Sequence, residues 1–137
     1  MTVLGFGSDI TNIDRIAAAL ARHNGRFERR VFTEVEIARA ERRPGLRVGS
    51  YAKRWAAKEA CAKALGTGFA RGVFHRDLGV VNLPGGRPTM RLTGGAAARL
   101  GELAGPAGAE IWLSLSDDAP FALATVLIVR AEGREGH

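Results

Sequence analysis

The 137-residue sequence holds one cysteine, Cys61, so no disulfide can close within the chain. That excludes a disulfide framework and fits a reducing compartment. No stretch approaches the ~20 consecutive apolar residues that a bilayer crossing needs. The opening MTVLGFGSDI has no positive cluster ahead of an apolar run, so no secretory signal is expected and the expected location is the cytoplasm. Histidine is scarce. His23, His75 and His137 are scattered, which argues against a histidine-rich metal site. There is no HExxH, no paired CxxC and no GxSxG, and Gly66-Thr67-Gly68 lacks the Lys-Ser/Thr of a P-loop. Gly5-Phe6-Gly7 starts like a dinucleotide fingerprint, but Asp9-Ile10 follows where the third glycine belongs, and an acid there would repel a pyrophosphate.

Apolar residues make up 46% of the chain, enough for a core without staples at this length. One domain over residues 1–130 is expected, with a polar tail over 131–137. Twenty Lys and Arg against 14 Asp and Glu give a net charge of +6. Only three of the cations are Lys, and an Arg-rich balance is also what a GC-rich genome yields, so position tells more than total. Between Arg22 and Arg47 lie eight Arg and four Glu. A planar guanidinium donates two parallel hydrogen bonds to phosphate or carboxylate, so this stretch predicts an anionic partner: nucleic acid, nucleotide or an acidic protein.

The pattern along the chain predicts α+β. Val3–Gly7 reads as a strand ending at Ser8-Asp9, and Thr11 to Asp14 as a capping box for a helix reaching Arg22. Arg26–Phe32 reads as a helical turn. Thr33 to Glu36 forms a second capping box, opening a helix that Pro44-Gly45 stops. Val48–Leu65, rich in Ala and Lys, is the strongest helix, with a left-handed cap at Gly66. Phe69–Asp77 reads as a loop. Leu78–Asn82 and Thr89–Leu92 read as strands joined by the turn Pro84–Pro88, and Thr93 as the cap of a helix over Gly95–Leu103. Gly105–Gly108 reads as a loop before two strands, Ile111–Ser116 and Phe121–Arg130, joined by an Asp117–Pro120 turn.

Two features carry possible chemistry. Asp9 is a carboxylate at a strand end beside a glycine, suited either to a cleft or to an Asx-type turn and a helix cap. Trp55, Glu59 and Lys63 recur at i, i+4 and i+8 and share one helix face. Glu59 and Lys63 could be a surface pair worth ~0.3–0.5 kcal/mol. They could instead aim a carboxylate and an ammonium at one ligand. Mg2+ is held by one or two carboxylates plus substrate phosphates, and Asp9 with Glu59 could be that pair.

The segments GFGSDITNIDRI, FTEVEIARA, YAKRWAAKEACAKALGTGF, GGRPTMRLTGGAA and IWLSLSDD, in order over Val3–Val129, resemble successive blocks of the holo-(acyl-carrier-protein) synthase family, the small phosphopantetheinyl transferases. The WAAKEAxxKALGTG block is the specific one; the xGxD block is weak by itself. The resemblance implies a 4'-phosphopantetheinyl transferase-like fold, an antiparallel sheet packed on a long central helix. It implies Mg2+-dependent transfer of 4'-phosphopantetheine from coenzyme A to a serine of apo-acyl carrier protein, in fatty acid biosynthesis, releasing adenosine 3',5'-bisphosphate. It also implies a homotrimer with active sites between subunits, and no nucleic-acid or membrane partner. By position, it makes Asp9 and Glu59 the metal-binding acids and Lys63 a phosphate contact, these three forming the catalytic set. Arg54 would meet the 3'-phosphate, Gly66 would lie near the phosphopantetheine path, and Arg87 and Pro88 against the adenine end. Ser116 and Asp117 fall in the last block, also on the coenzyme. Arg15, Arg22, Arg26 and Arg30 would receive the acidic helix of the carrier protein. One departure stands out: many family members have His where this chain has Asp117, so no imidazole role carries over. Asp117 could touch the adenine amino group or ribose, order a metal-bound water, or simply shape the turn.

The implied reaction is in-line attack by the carrier serine on the β-phosphorus of coenzyme A, with electrostatic positioning as the main resource. Glu59 or a water on the metal could accept the serine proton. No covalent enzyme intermediate is required, so Cys61 reads as a small helix residue and Trp55 as packing. Two other readings fit the composition: a small basic nucleic-acid-binding module, and an inactive trimeric homologue suggested by Asp117. The first leaves unexplained two carboxylates placed to share a ligand with Lys63, and turnover on apo-carrier protein separates the second.

Overall fold

The computed structural model describes residues 1–132. In chain order the elements are β1 (Val3–Asn12), α1 (Ile13–Arg22), α2 (Arg26–Val31), α3 (Glu34–Glu41), α4 (Arg47–Ala64), β2 (Leu78–Asn82), β3 (Pro88–Leu92), α5 (Gly94–Ala104), β4 (Ala109–Asp118) and β5 (Phe121–Arg130). Short 3-10 turns stand at Pro44–Leu46, His75–Asp77 and Gly105–Ala107. The arrangement is α+β: an antiparallel sheet ordered β1-β5-β4 carries α4 across one face, and β2-β3 form a separate hairpin. No helix among the described residues is long and apolar enough to cross a membrane.

Small residues let α4 lie close to the sheet. A Cβ on Gly5 would fall on the carbonyl oxygen of Ala64, and one on Gly7 on that of Ala60, so β1 meets the helix backbone directly. Ala56, Ala60 and Cys61 of α4 join Val126 and Ile128 of β5 and Leu78 and Val80 of β2 in one buried cluster. Burial pushes the Cys61 thiol up to about 12, which makes it inert at neutral pH. A second cluster packs Ile16, Leu20 and Phe32 against Tyr51 and Ala52 at the start of α4.

Residues paired across the sheet share a face. Toward α4 point the rows Gly7–Val126–Leu113, Asp9–Ala124–Leu115 and Thr11–Ala122–Asp117. Away from it point Phe6–Leu127–Trp112 and Ile10–Leu123–Ser116.

Four local expectations are corrected. β1 continues to Asn12 because β5 pairs with it all the way, Asp9 opposite Ala124 and Asn12 opposite Phe121. Asp9 is therefore inside a strand rather than at its end. Thr11, held in that ladder, does not cap α1; Asn12 does, accepting from the Asp14 amide at 2.8 Å. Thr93 makes no side-chain cap on α5, because its hydroxyl lies 3.2 Å from an Asp77 carboxylate oxygen. β4 runs through Asp118, so Asp117 is a strand residue and the turn is Ala119-Pro120. The Thr33–Glu36 capping box forms, with both reciprocal bonds, but its helix ends at Glu41, ahead of Pro44-Gly45. Gly66 takes φ +78° after α4. Of the expected tail, residues from 133 on lie outside the described residues.

Candidate active site

One helix mounts most of the candidate chemistry. α4 carries Arg54, Trp55, Lys58, Glu59 and Lys63 within three turns. The ammonium of Lys63 donates to Asp9 Oδ1 at 3.2 Å and to the Ser8 carbonyl at 3.0 Å. Asp9 Oδ2 accepts from the Thr11 hydroxyl at 2.8 Å, the contact that draws Thr11 away from capping. Glu59 lies one turn before Lys63 on the same helix face. It does not pair with Lys63; its Oε2 lies 3.5 Å from His75 Nε2. An edge strand and one helix face thus present Asp9 held to Lys63, with Glu59 one helical turn before that cation.

The opposite edge of the sheet borders a cleft of about 670 Å3. Arg39, Arg42, Arg43, Lys53 and Arg54 line it, with Asp117 as the one carboxylate among them. Lys53 Nζ is 3.4 Å from Asp117 Oδ1. Arg54 donates to the Ser50 hydroxyl at 2.8 Å and the Ser50 carbonyl at 3.2 Å, while its Nε is buried without a partner. Burial holds the Arg54 guanidinium below its ordinary range, and nearby Arg39 adds to this while Glu36 opposes it. Five cations, one of them carrying an unpaired guanidinium nitrogen, make a receptor for a multiply charged anion.

The remaining expected residues are dispersed. Gly66 sits past the C-terminus of α4, where Arg99 Nε donates to the Leu65 carbonyl at 2.8 Å. Arg87 and Pro88 are at the β2-β3 hairpin, and the Arg87 guanidinium lies 4.6 Å from the centre of the Trp112 ring. Ser116 faces away from α4, so it does not share a site with Asp117 within this chain. Arg15, Arg22, Arg26 and Arg30 are all exposed on α1 and α2.

Sequence reasoning passed over three things here. Arg39, Arg42 and Arg43 were legible only as part of a basic stretch. Lys53 and its contact with Asp117 carried no signal. His75, one of three scattered histidines, stands against Glu59 with its ring stacked between Trp55 and Phe69. Trp55 is half-buried between Phe27 and that imidazole.

No group of three or more His, Cys, Asp or Glu able to hold a metal is found among the described residues. The donors at hand are two carboxylates with no thiolate and no pair of imidazoles. That set fits a hard divalent cation that takes its other ligands from water and substrate phosphates, and it does not suit zinc.

Residues 5–124 match the model of the 4'-phosphopantetheinyl transferase superfamily. The chain is 60% identical over 128 residues to a holo-[acyl-carrier-protein] synthase of Granulibacter bethesdensis, covering 92% of this chain and 88% of that protein. The fold is similar to the crystal structure of holo-[acyl-carrier-protein] synthase from Neisseria meningitidis, with TM-score 0.80, 32% identity, and coverage of 94% of this chain and 100% of the other. It is also similar to the ACPS–CoA complex of Chronobacterium ammoniagenes, with TM-score 0.76, 32% identity, and coverage of 93% and 98%.

Proposed function

The chain belongs to the 4'-phosphopantetheinyl transferase superfamily, and on that footing we propose that it is a holo-(acyl-carrier-protein) synthase. It moves 4'-phosphopantetheine from coenzyme A to a serine of apo-acyl carrier protein and releases adenosine 3',5'-bisphosphate. The observation that carries this is the pairing of an Asp9–Lys63 contact, with Glu59 one turn away, and a cleft lined by five cations, in a chain 60% identical to a named synthase.

The anionic adenosine end of coenzyme A suits the cleft of Arg39, Arg42, Arg43, Lys53 and Arg54, the buried Arg54 Nε being the donor still lacking an acceptor. Asp117, paired to Lys53, can accept from the adenine amino group or a ribose hydroxyl. Asp9 and Glu59 would hold Mg2+, which supplies charge neutralisation on the diphosphate when bound. Lys63 then directs a point charge at the leaving phosphate. A carboxylate such as Glu59 would accept the serine proton. Exposed Arg15, Arg22, Arg26 and Arg30 offer the acidic carrier a basic face.

We also propose a homotrimer in the cytoplasm, with the active site shared between subunits. The sheet face turned away from α4 supports assembly: Phe6, Ile10, Trp112, Phe121 and Leu123 are each at least 41% exposed there. Ser116 and the Arg87–Trp112 stack lie on or beside that face, where a neighbouring subunit's coenzyme could reach them.

The test is direct. Mixed with apo-acyl carrier protein, coenzyme A and Mg2+, the protein is expected to add one phosphopantetheine per carrier, read by intact mass. Unchanged carrier mass together with steep salt-dependent binding to bulk nucleic acid would overturn the reading.

A further inference from the structure

His75 is a half-buried polar side chain beside the acids that the proposed reaction leaves unused. Its Nε2 is buried and has no hydrogen-bond partner, and the Glu59 carboxylate stands 3.5 Å away. Glu59 in turn has no side-chain hydrogen-bond donor among the described residues other than this approach. Two orphaned groups face each other. A lone pair on Nε2 would repel the carboxylate, so the proton belongs on Nε2.

The ring is fixed in place with unusual thoroughness. It stacks on Phe69 at 3.8 Å between centroids and 12° between planes, and on Trp55 at 4.8 Å and 18°. Trp55 is four residues before Glu59, so the same face of α4 supplies both the platform and the acid. The backbone is fixed from beneath. Lys58, the residue before Glu59, donates to the His75 carbonyl at 2.9 Å and the Leu78 carbonyl at 3.1 Å, while paired to buried Glu36 at 2.7 Å. Three neighbouring positions on one helix therefore grip this turn: Trp55 the ring, Lys58 the backbone, Glu59 the ring nitrogen.

We propose that His75 is a positioning residue that holds Glu59 Oε2 through Nε2–H and so presets the carboxylate for its cation. This rests on the reading of Glu59 as a metal ligand. A carboxylate fixed by a donor on one oxygen enters coordination with fewer rotamers to lose, and losing such a supporting donor typically costs 10–100-fold in metal affinity or activity.

The experiment separates ring from donor. His75→Phe keeps an aromatic ring for Trp55 and Phe69 and removes the donor; His75→Gln keeps an N–H near the Nε2 position and removes the stack. The readout is coenzyme A binding by calorimetry at rising Mg2+, without carrier protein, beside thermal melting in EDTA. His75→Phe is expected to raise the Mg2+ needed for half-maximal binding about 10-fold, with melting and Mg2+-free coenzyme binding unchanged. His75→Gln is expected to restore most of the Mg2+ response despite a lower melting temperature. If His75→Phe responds to Mg2+ as the parent does, His75 is packing only and the proposal fails. Should His75→Phe not fold, His75→Gln decides: a parent-like Mg2+ response supports the proposal, and a large loss overturns it. A Glu59→Gln control with an unchanged Mg2+ response would overturn the metal-ligand reading itself, a failure distinguishable from that of His75 alone.

Discussion

Lys58 and Glu59 are consecutive on α4, yet their surroundings are opposite. Lys58 and Glu36 are wholly buried, and both carboxylate oxygens and all three ammonium protons are engaged. The three ammonium protons go to Glu36 Oε1, the His75 carbonyl and the Leu78 carbonyl. Glu36 also accepts from the Thr33 and Val80 amides. Burial holds the Lys58 ammonium below its ordinary range, and the Glu36 carboxylate opposes that. Glu59 on α4 and Asp9 on β1, by contrast, are 28% and 16% exposed at their side chains and keep acceptor sites unfilled. A buried ion pair persists only when additional hydrogen bonds engage both of its charged groups. A ligand site must leave some acceptors unmatched. The difference separates charge that holds the α3–α4–β2 junction from charge available to a substrate.

Breaking the inner side gives the largest effect. Lys58→Met leaves the Glu36 carboxylate buried without its cation and strips the donor from two carbonyls. The expected loss is about 3–5 kcal/mol of unfolding free energy, measured by urea denaturation. A loss under about 1 kcal/mol would mean that Glu36 sheds its charge at little cost.

Breaking the outer side should do the reverse. Asp9→Asn removes the charge of a carboxylate that is 16% exposed but whose partner Lys63 is 58% exposed, and the amide keeps an oxygen to accept a hydrogen bond, so stability should fall by only about 1 kcal/mol. Transfer to the carrier should fall on the order of 10²–10³-fold, the scale of losing one charge-stabilising group in a transition state. Urea midpoints beside initial rates by intact mass give both numbers from one preparation. A protein that unfolds on this substitution but retains its rate per folded molecule would erase the distinction between the two sides.

Both sides were unequally legible in the sequence. The Thr33–Glu36 capping box and the long run of α4 are local patterns, and both form. What Glu36 does beyond capping depends on Lys58, 22 residues away, and on the Val80 amide, 44 residues away; no spacing rule reaches that far. The second half of β1 was missed because its register is set by β5, more than a hundred residues later. Once Thr11 is held in that ladder its hydroxyl turns to Asp9, and Asn12 inherits the cap. Gly5 and Gly7 read as a failed dinucleotide motif, whereas their role is steric: α4 passes where their side chains would be. His75 had no periodicity to announce it, since its partners Trp55, Glu59 and Phe69 come from a helix and a loop that converge only in three dimensions.

A fourth carboxylate sharpens the comparison by lying between the extremes. Glu41 is 44% exposed at its side chain and accepts from Arg47 Nε at 2.7 and 2.9 Å and from the Tyr51 hydroxyl at 2.7 Å. Burial alone would raise its pKa, but the Tyr51 and Arg47 hydrogen bonds together outweigh that and hold it below 4.5. A carboxylate depressed in the folded state adds stability that is fully present above its unfolded pKa and lost as pH falls through the folded value. Tyr51→Phe deletes only a hydroxyl from a fully buried ring and leaves Arg47 in place. The urea-midpoint gap between parent and Tyr51→Phe is therefore expected to be flat from about pH 7 to about pH 5 and to narrow as pH falls below 4.5. With water this close, the effect should be the smallest of the three. A gap that stays constant down to about pH 3 would show that the hydroxyl serves packing rather than the charge. Glu41 would then group with the solvent-facing acids, and the graded series from buried pair to open site would reduce to two classes.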